Sequence, residues 1–117
     1  MSIQRLRTET RYSEIVIHNG TVYLAGQLDE KHSEGVGQQT RETLAAIDAM
    51  LAEAGTDKSR ILSVTIYLKD MEADYAAMNA VWDAWVPKGA APARACVEAK
   101  LYSPDVLVEM TVIAALP

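Results

Sequence analysis

The 117-residue sequence predicts an α+β fold, a two-layer sandwich in which one five- to six-stranded sheet carries two helices on one face. Three observations lead there. Short alternating or β-branched runs lie near both ends and in the middle. Two stretches with apolar residues three and four apart flank the middle run. Turn residues punctuate the boundaries. The order (β)ββ-α-β-α-ββ follows, without internal repeat or linker, so residues 1–117 read as a single domain.

IQRLRT, near 3–8, suits a weak edge strand. EIVIH (14–18) and TVYLAGQ (21–27) form a hairpin around Asn19-Gly20, the two-residue turn signal. The acidic, glycine-containing stretch 28–37 reads as a loop. A helix beginning between Ser33 and Gly37 shows Leu44, Ile47, Leu51 and Ala54 on its apolar face, with Gly55 as its stop. ILSVTIYL (61–68) has little polar surface on either side, as a central strand should. Lys69 to Glu72 turn the chain into a second helix, whose stripe carries Tyr75, Met78, Asn79, Trp82 and Trp85 and which ends before Pro87. The last strands are expected over 93–101 and 105–116, joined by Tyr102-Ser103-Pro104. Two helices cover one face only. If the alanine row Ala93, Ala95, Val97, Ala99 packs beneath them, the open face holds Thr65, Tyr67, Cys96, Leu107, Thr111 and Ile113. That surface is too apolar to stay wet, so self-association is expected, and two-fold dimers are commonest by base rate.

Charge and composition exclude several functions. The net charge of −5 lacks the basic footprint of a nucleic-acid binder or a polybasic membrane anchor. No secretory signal opens the chain and no apolar run approaches a bilayer span, which points to a soluble cytoplasmic protein. The single Cys96 rules out an intrachain disulfide. His18 and His32 stand at ligand spacing neither from each other nor from Cys96, so no metal is expected. No phosphate-cradling glycine loop or nucleophile elbow is present.

The chemistry-bearing candidates lie late in the chain. In PARACVEAK (92–100) Arg94, Cys96, Glu98 and Lys100 share one strand face. If this strand and the next form an antiparallel pair, Cys96 stands opposite Glu109 and Arg94 opposite Thr111. Arg94 and Glu109 are then diagonal neighbours roughly 7–8 Å apart. A guanidinium can take a substrate carboxylate bidentately, and a carboxylate can hold a water or move a proton. By spacing alone, a simple ion pair between the two, or with a neighbouring subunit, is the commoner arrangement. Cys96 reads as small, buried and inert, and Asn79 as an amide packed on the loop 88–92.

PARACVEAK followed by VEMTVIA resembles the C-terminal signature of the YjgF/RidA family. YLAGQ, QQTRETLAAIDAMLAEAG and MNAVWDAW extend the resemblance over nearly the whole chain, and Trp82, Trp85 and KSRILSVTIYLKD are similar to its YoaB-like branch. The resemblance implies a chorismate-mutase-like fold, assembly as a homotrimer with a central barrel, and clefts between subunits. The implied activity is that of a hydrolase, an imine deaminase that converts reactive 2-imino or enamine acids to keto acids and ammonia, a metabolite detoxification that uses no cofactor. It also implies that Arg94 grips the substrate carboxylate, Glu109 positions or activates water, the Cys96 backbone helps hold the ligand, and Tyr12 and Asn79 line the cleft. Ala25 and Gly26 fall on the family's substrate-binding segment. Two departures stand out: Ala25 replaces the serine usual in the central branch, and Thr10-Arg11-Tyr12 replaces Gly-Pro-Tyr. The alternatives are a non-catalytic trimer that binds a small carboxylate in a regulatory role and, ranked last, a ribonuclease, which the charge and the absence of a histidine constellation disfavour.

Overall fold

In the computed structural model, which describes residues 2–117, one six-stranded sheet has strand order β1-β2-β3-β6-β4-β5. The strands are β1 (Gln4–Thr8), β2 (Ser13–His18), β3 (Thr21–Gln27), β4 (Ile61–Leu68), β5 (Ala93–Glu98) and β6 (Val108–Ala115). Helices α1 (Val36–Ala54) and α2 (Met71–Trp85) pack side by side on one face. The two-layer α+β architecture expected from the sequence is the one found. No helix among the described residues is long and apolar enough to cross a membrane.

Local chemistry sets the elements. Asn19 and Gly20 both take positive φ, 52° and 75°, as a tight primed turn requires, and His18 then pairs with Thr21. α2 starts at Met71, within the expected turn 69–72, because the Asp70 side chain accepts the amide of Ala73 at 3.0 Å. It ends at Trp85, with Val86 already extended before Pro87. α1 buries Leu44, Ile47 and Leu51 at 0–1% exposure, each side chain contributing about 1.5–3 kcal/mol through burial.

β5 and β6 do not pair, contrary to the antiparallel hairpin that their short connection suggests. β4 lies between them, parallel to β5 and antiparallel to β6. The reason lies in β4 and α2. A central strand needs two neighbours, and a helix following β4 returns the chain parallel to it. The segment 99–107 then wraps the end of β4, with Ala99 N–H donating to Leu68 O at 2.9 Å and Lys69 N–H to Leu107 O at 3.0 Å.

Register fixes the faces. One line of neighbours crosses the sheet through Leu6, Ile15, Leu24, Val112, Val64 and Arg94. Its inner members are buried under the helices, so Arg94 and, two residues on, Cys96 also face the helical layer. The alanine row lies on the open face instead, beside Thr65, Tyr67, Thr111 and Ile113, and Cys96 does not belong there. Alanine is small enough for either side, and only the parallel register with β4 decides between them.

Candidate functional site

Arg94 sits at the sheet edge, where a long side chain can leave the core line and reach α2. Its Nη1 donates to Asn79 Oδ1 at 2.8 Å and its Nη2 to Tyr75 Oη at 3.4 Å, with the guanidinium carbon 5.3 Å from the Trp82 ring centroid. The stripe that buries Met78 and Trp82 therefore also presents the two polar groups that aim the guanidinium. Asn79 meets Arg94 rather than the loop 88–92. No carboxylate neutralises Arg94: the ion pairs among the described residues are Arg7–Glu53 and Lys31–Glu42. Cys96 lies against Met71, sulfur to sulfur 4.0 Å. Desolvation raises its thiol pKa, and nearby Arg94 offsets this only in part, so the thiolate is disfavoured.

Glu109 lies on the other face. It pairs with Tyr67, which pairs in turn with Val97 on the open side of the sheet. Arg94 and Glu109 of one chain are therefore not diagonal neighbours, because the intervening β4 removes the register that would make them so. The Glu109 carboxylate rests against the backbone of Gly26. A methyl group there would overlap Oε2, so only glycine lets the carboxylate keep this position. Gly26 belongs to a bulge: Leu24 pairs with Val112 and Gln27 with Met110, leaving Ala25 and Gly26 both opposite Thr111. Burial raises the Glu109 pKa, and no cation or donor counters it.

Beside the bulge a cavity of about 500 Å³ opens towards two loops, and Gly26, which Glu109 touches, is part of its lining. Tyr12, Glu14, Ala25, Gly26, Gln27, Leu28, Glu30 and Tyr102 line it. Gln27, 6% exposed, donates from Nε2 to Glu14 Oε1 and to Ala25 O, both at 3.1 Å. The two loops are tied together twice. Buried Gln39 donates to Ser33 O and Asp105 O at 2.8 Å and accepts the Leu107 amide at 2.9 Å. His32 Nε2 and Tyr102 Oη lie 2.9 Å apart. Asp29, 3% exposed, accepts the amides of Lys31 and Ser33. Desolvation would raise its pKa, but those hydrogen bonds outweigh it and hold the group below the ordinary carboxylate range.

The sequence-selected residues thus fall into two groups. Arg94, Asn79 and Cys96 meet beside α2, while Tyr12, Ala25, Gly26 and Glu109 meet around the bulge. A single chain does not bring the groups together. Sequence reasoning missed Tyr75, Glu14, Gln27 and Tyr102. Tyr75 was detectable, since it lies one helical turn before Asn79 on the same stripe. The others depend on the bulge and on loop packing. Among the described residues no group of three or more His, Cys, Asp or Glu side chains could hold a metal ion.

Comparison with known proteins assigns this architecture to a family. The family model described as endoribonuclease L-PSP matches residues 2–116. The RutC family protein YoaB of Escherichia coli K12 is 47% identical over 116 residues, covering 99% of this chain and 100% of that protein. A RutC family protein of Haemophilus ducreyi is 46% identical over 114 residues, 97% of each chain. The crystal structure of a YjgF family member from Neisseria meningitidis superposes with a TM-score of 0.97 at 49% identity, covering all of this chain and 97% of that one. A common fold and a match along the whole length have one conclusion: the chain belongs to the endoribonuclease L-PSP family, also called YjgF/RidA.

Proposed function

We propose that the protein hydrolyses reactive 2-imino acids and their enamine tautomers to 2-keto acids and ammonia, in clefts formed between copies of the chain in a homotrimer. The observation that carries this reading is a pair of unanswered charges. Arg94 is aimed but has no carboxylate, Glu109 is partly desolvated with no cation, and they stand on opposite faces of the sheet. Two such half-sites are completed when the edge of one copy meets the bulge of the next. The open face, where Tyr23 and Val97 are exposed beside Ile113, Ala93 and Ala95, supplies apolar area for that contact.

In the assembled cleft the Arg94 fork binds the substrate carboxylate bidentately, which fixes C2 near the neighbouring Glu109. Glu109 takes a proton from water as the oxygen adds to C2 of the iminium, leaving a carbinolamine. It returns that proton to nitrogen and then takes the remaining hydroxyl proton as the C2–N bond breaks. Ammonia departs, the C2 carbonyl forms, and Glu109 gives up its proton to the ammonia or to solvent. A raised pKa suits this exchange, since the group both accepts and gives a proton near neutrality. No step uses the Cys96 thiolate.

A non-catalytic trimer that binds a small carboxylate would use Arg94 equally well. Glu109 disfavours it, because a carboxylate beside an anionic ligand weakens binding unless it handles water or a proton. The RNA cleavage in the family's description needs a basic surface and general acid–base groups. This chain has a net charge of −5, and its histidines are engaged locally, His18 by Asn19 and His32 by Tyr102.

The test generates 2-iminopropanoate and 2-iminobutanoate with an amino-acid oxidase and traps residual imine with semicarbazide. The protein should suppress the trapped product in proportion to its concentration. Unchanged trapping at every concentration would refute the hydrolase.

A further inference from the structure

The cavity beside Glu109 is larger and more specific than a three- or four-carbon imino acid requires. At about 500 Å³ it lies in the range of sites that enclose drug-sized ligands. Its lining is built rather than incidental. Glu14 is held by the buried amide of Gln27, and Tyr102 is held by His32 and by the loop that Gln39 anchors. Tyr12 also lines the space, and no lysine, arginine or histidine does. Arg7, near enough to feel the charge of Glu14, is engaged by Glu53 at 2.8 Å. Glu109 touches Gly26, and Gly26 and the methyl-bearing Ala25 both line the cavity, so that part of the wall offers no polar side chain.

We infer that this cavity selects 2-imino acids whose side chain ends in a cation, a guanidinium above all, with Glu14 as the specificity-determining carboxylate and Tyr12 and Tyr102 as the aromatic walls. The inference rests on the imine-hydrolysis reading and gives it a substrate class. With the 2-carboxylate on Arg94 of one copy and C2 at Glu109 of the next, the substrate side chain runs past Ala25 into the cavity. A guanidinium reaching Glu14 gains a charge-assisted hydrogen bond, and the flanking phenol rings favour it through their π faces. An anionic side chain meets an unopposed carboxylate, and a short apolar one leaves the far end of the cavity unused.

The experiment compares imines made in situ from arginine and citrulline, which have the same reach and differ in charge, using semicarbazide competition. The arginine-derived imine should show a kcat/KM higher by about tenfold, falling as salt screens the pair. Glu14→Gln should bring the ratio of the two substrates towards one, mainly through KM of the arginine-derived imine. Tyr102→Ala should lower the same ratio less. A ratio near one in the unmodified protein, or a ratio unmoved by Glu14→Gln in a folded protein, overturns the inference while leaving hydrolysis intact. Should neither imine be hydrolysed, the hydrolase reading fails by itself. Selectivity is then decided by calorimetry with 2-oxo-5-guanidinopentanoate and 2-oxo-5-ureidopentanoate: about tenfold tighter binding of the guanidino acid upholds it, and equal or absent binding refutes it.

Discussion

The Arg94 region and the Glu109 region solve opposite problems. Around Arg94 both terminal guanidinium nitrogens have a partner on α2, and the Trp82 ring lies beside them, so an edge strand packed against a regular helix orients the cation. Around Glu109 the strand departs from regularity, and the carboxylate lies on bare backbone without a donor. In the proposed reaction the first region serves binding and the second, with its pKa raised by burial, serves proton transfer. Each half, taken alone, is an incomplete device, and the difference between them suggests a division of labour between recognition and proton transfer.

The largest expected effect comes from breaking the recognition half. Arg94→Ala should cost about 1.5–3 kcal/mol in substrate binding, with misorientation adding to the loss of turnover, and Arg94→Lys should restore little because an ammonium lacks the fork. If the halves come from different subunits, Arg94→Ala and Glu109→Gln chains refolded together should regain about one quarter of wild-type sites, the statistical fraction in a randomly mixed ring. Steady-state assays of each variant and of the mixture measure this, and no recovery would place both halves in one chain.

Gly26→Ala attacks the proton-transfer half. The added methyl meets the flexible end of Glu109, so the fold should survive while the carboxylate moves. Displacement on the scale of an ångström should lower kcat by about 10²-fold with little change in keto-acid affinity. Circular dichroism, kinetics and calorimetry separate these outcomes.

Glu109→Gln sharpens the contrast through pH. Burial raises the Glu109 pKa, so the acid limb of kcat/KM should lie above the ordinary glutamate range, with activity rising as the group ionises, and this limb should vanish in the variant. The stability effect has the opposite sense. A folded-state pKa above the unfolded value makes the folded form hold its proton more tightly, so stability falls as pH rises from the unfolded towards the folded pKa. Glu109→Gln should therefore raise Tm slightly at neutral pH and leave it unchanged in acid, as scanning calorimetry at both values can measure.

Ala25→Ser adds a hydroxyl to the cavity wall. One hydrogen bond to ligand or water is worth roughly 0.5–1.5 kcal/mol, so kcat/KM for small imines should rise by a few-fold to about tenfold. Cys96→Ser is the smallest change. Desolvation already keeps the thiol protonated, and turnover should stay within about twofold, since a shift of that size is under 0.5 kcal/mol. A large loss in a folded protein would instead reveal a thiol step.

Much of the fold was legible because it is written in local chemistry. Asn19-Gly20 dictates its turn, Ile61–Leu68 has the apolar continuity of a central strand, and Gly55 and Pro87 stop their helices. Pairing was less legible. The short link from β5 to β6 looks like a hairpin, and nothing local reveals that β4 fills the gap. The face of Arg94 was ambiguous for a related reason, since alanines alternate with it and fit either layer. The candidate residues themselves were readable as types in a signature. Their separation into two half-sites was not, because it depends on a parallel register and a bulge that arise only from tertiary pairing.

The bulge at Ala25-Gly26 also has a consequence for how such a protein can vary. Two residues share one place opposite Thr111, so residue 25 lies outside the regular ladder while its side chain borders the cavity. Gly26 is constrained by Glu109, and Leu24 and Gln27 are buried. Residue 25 is thus a position of low structural penalty and high chemical leverage. Exchanging a methyl there for a hydroxyl or a larger group retunes the ligand surface without disturbing strand pairing. Lineages exploring new substrates would be expected to diversify first at this address.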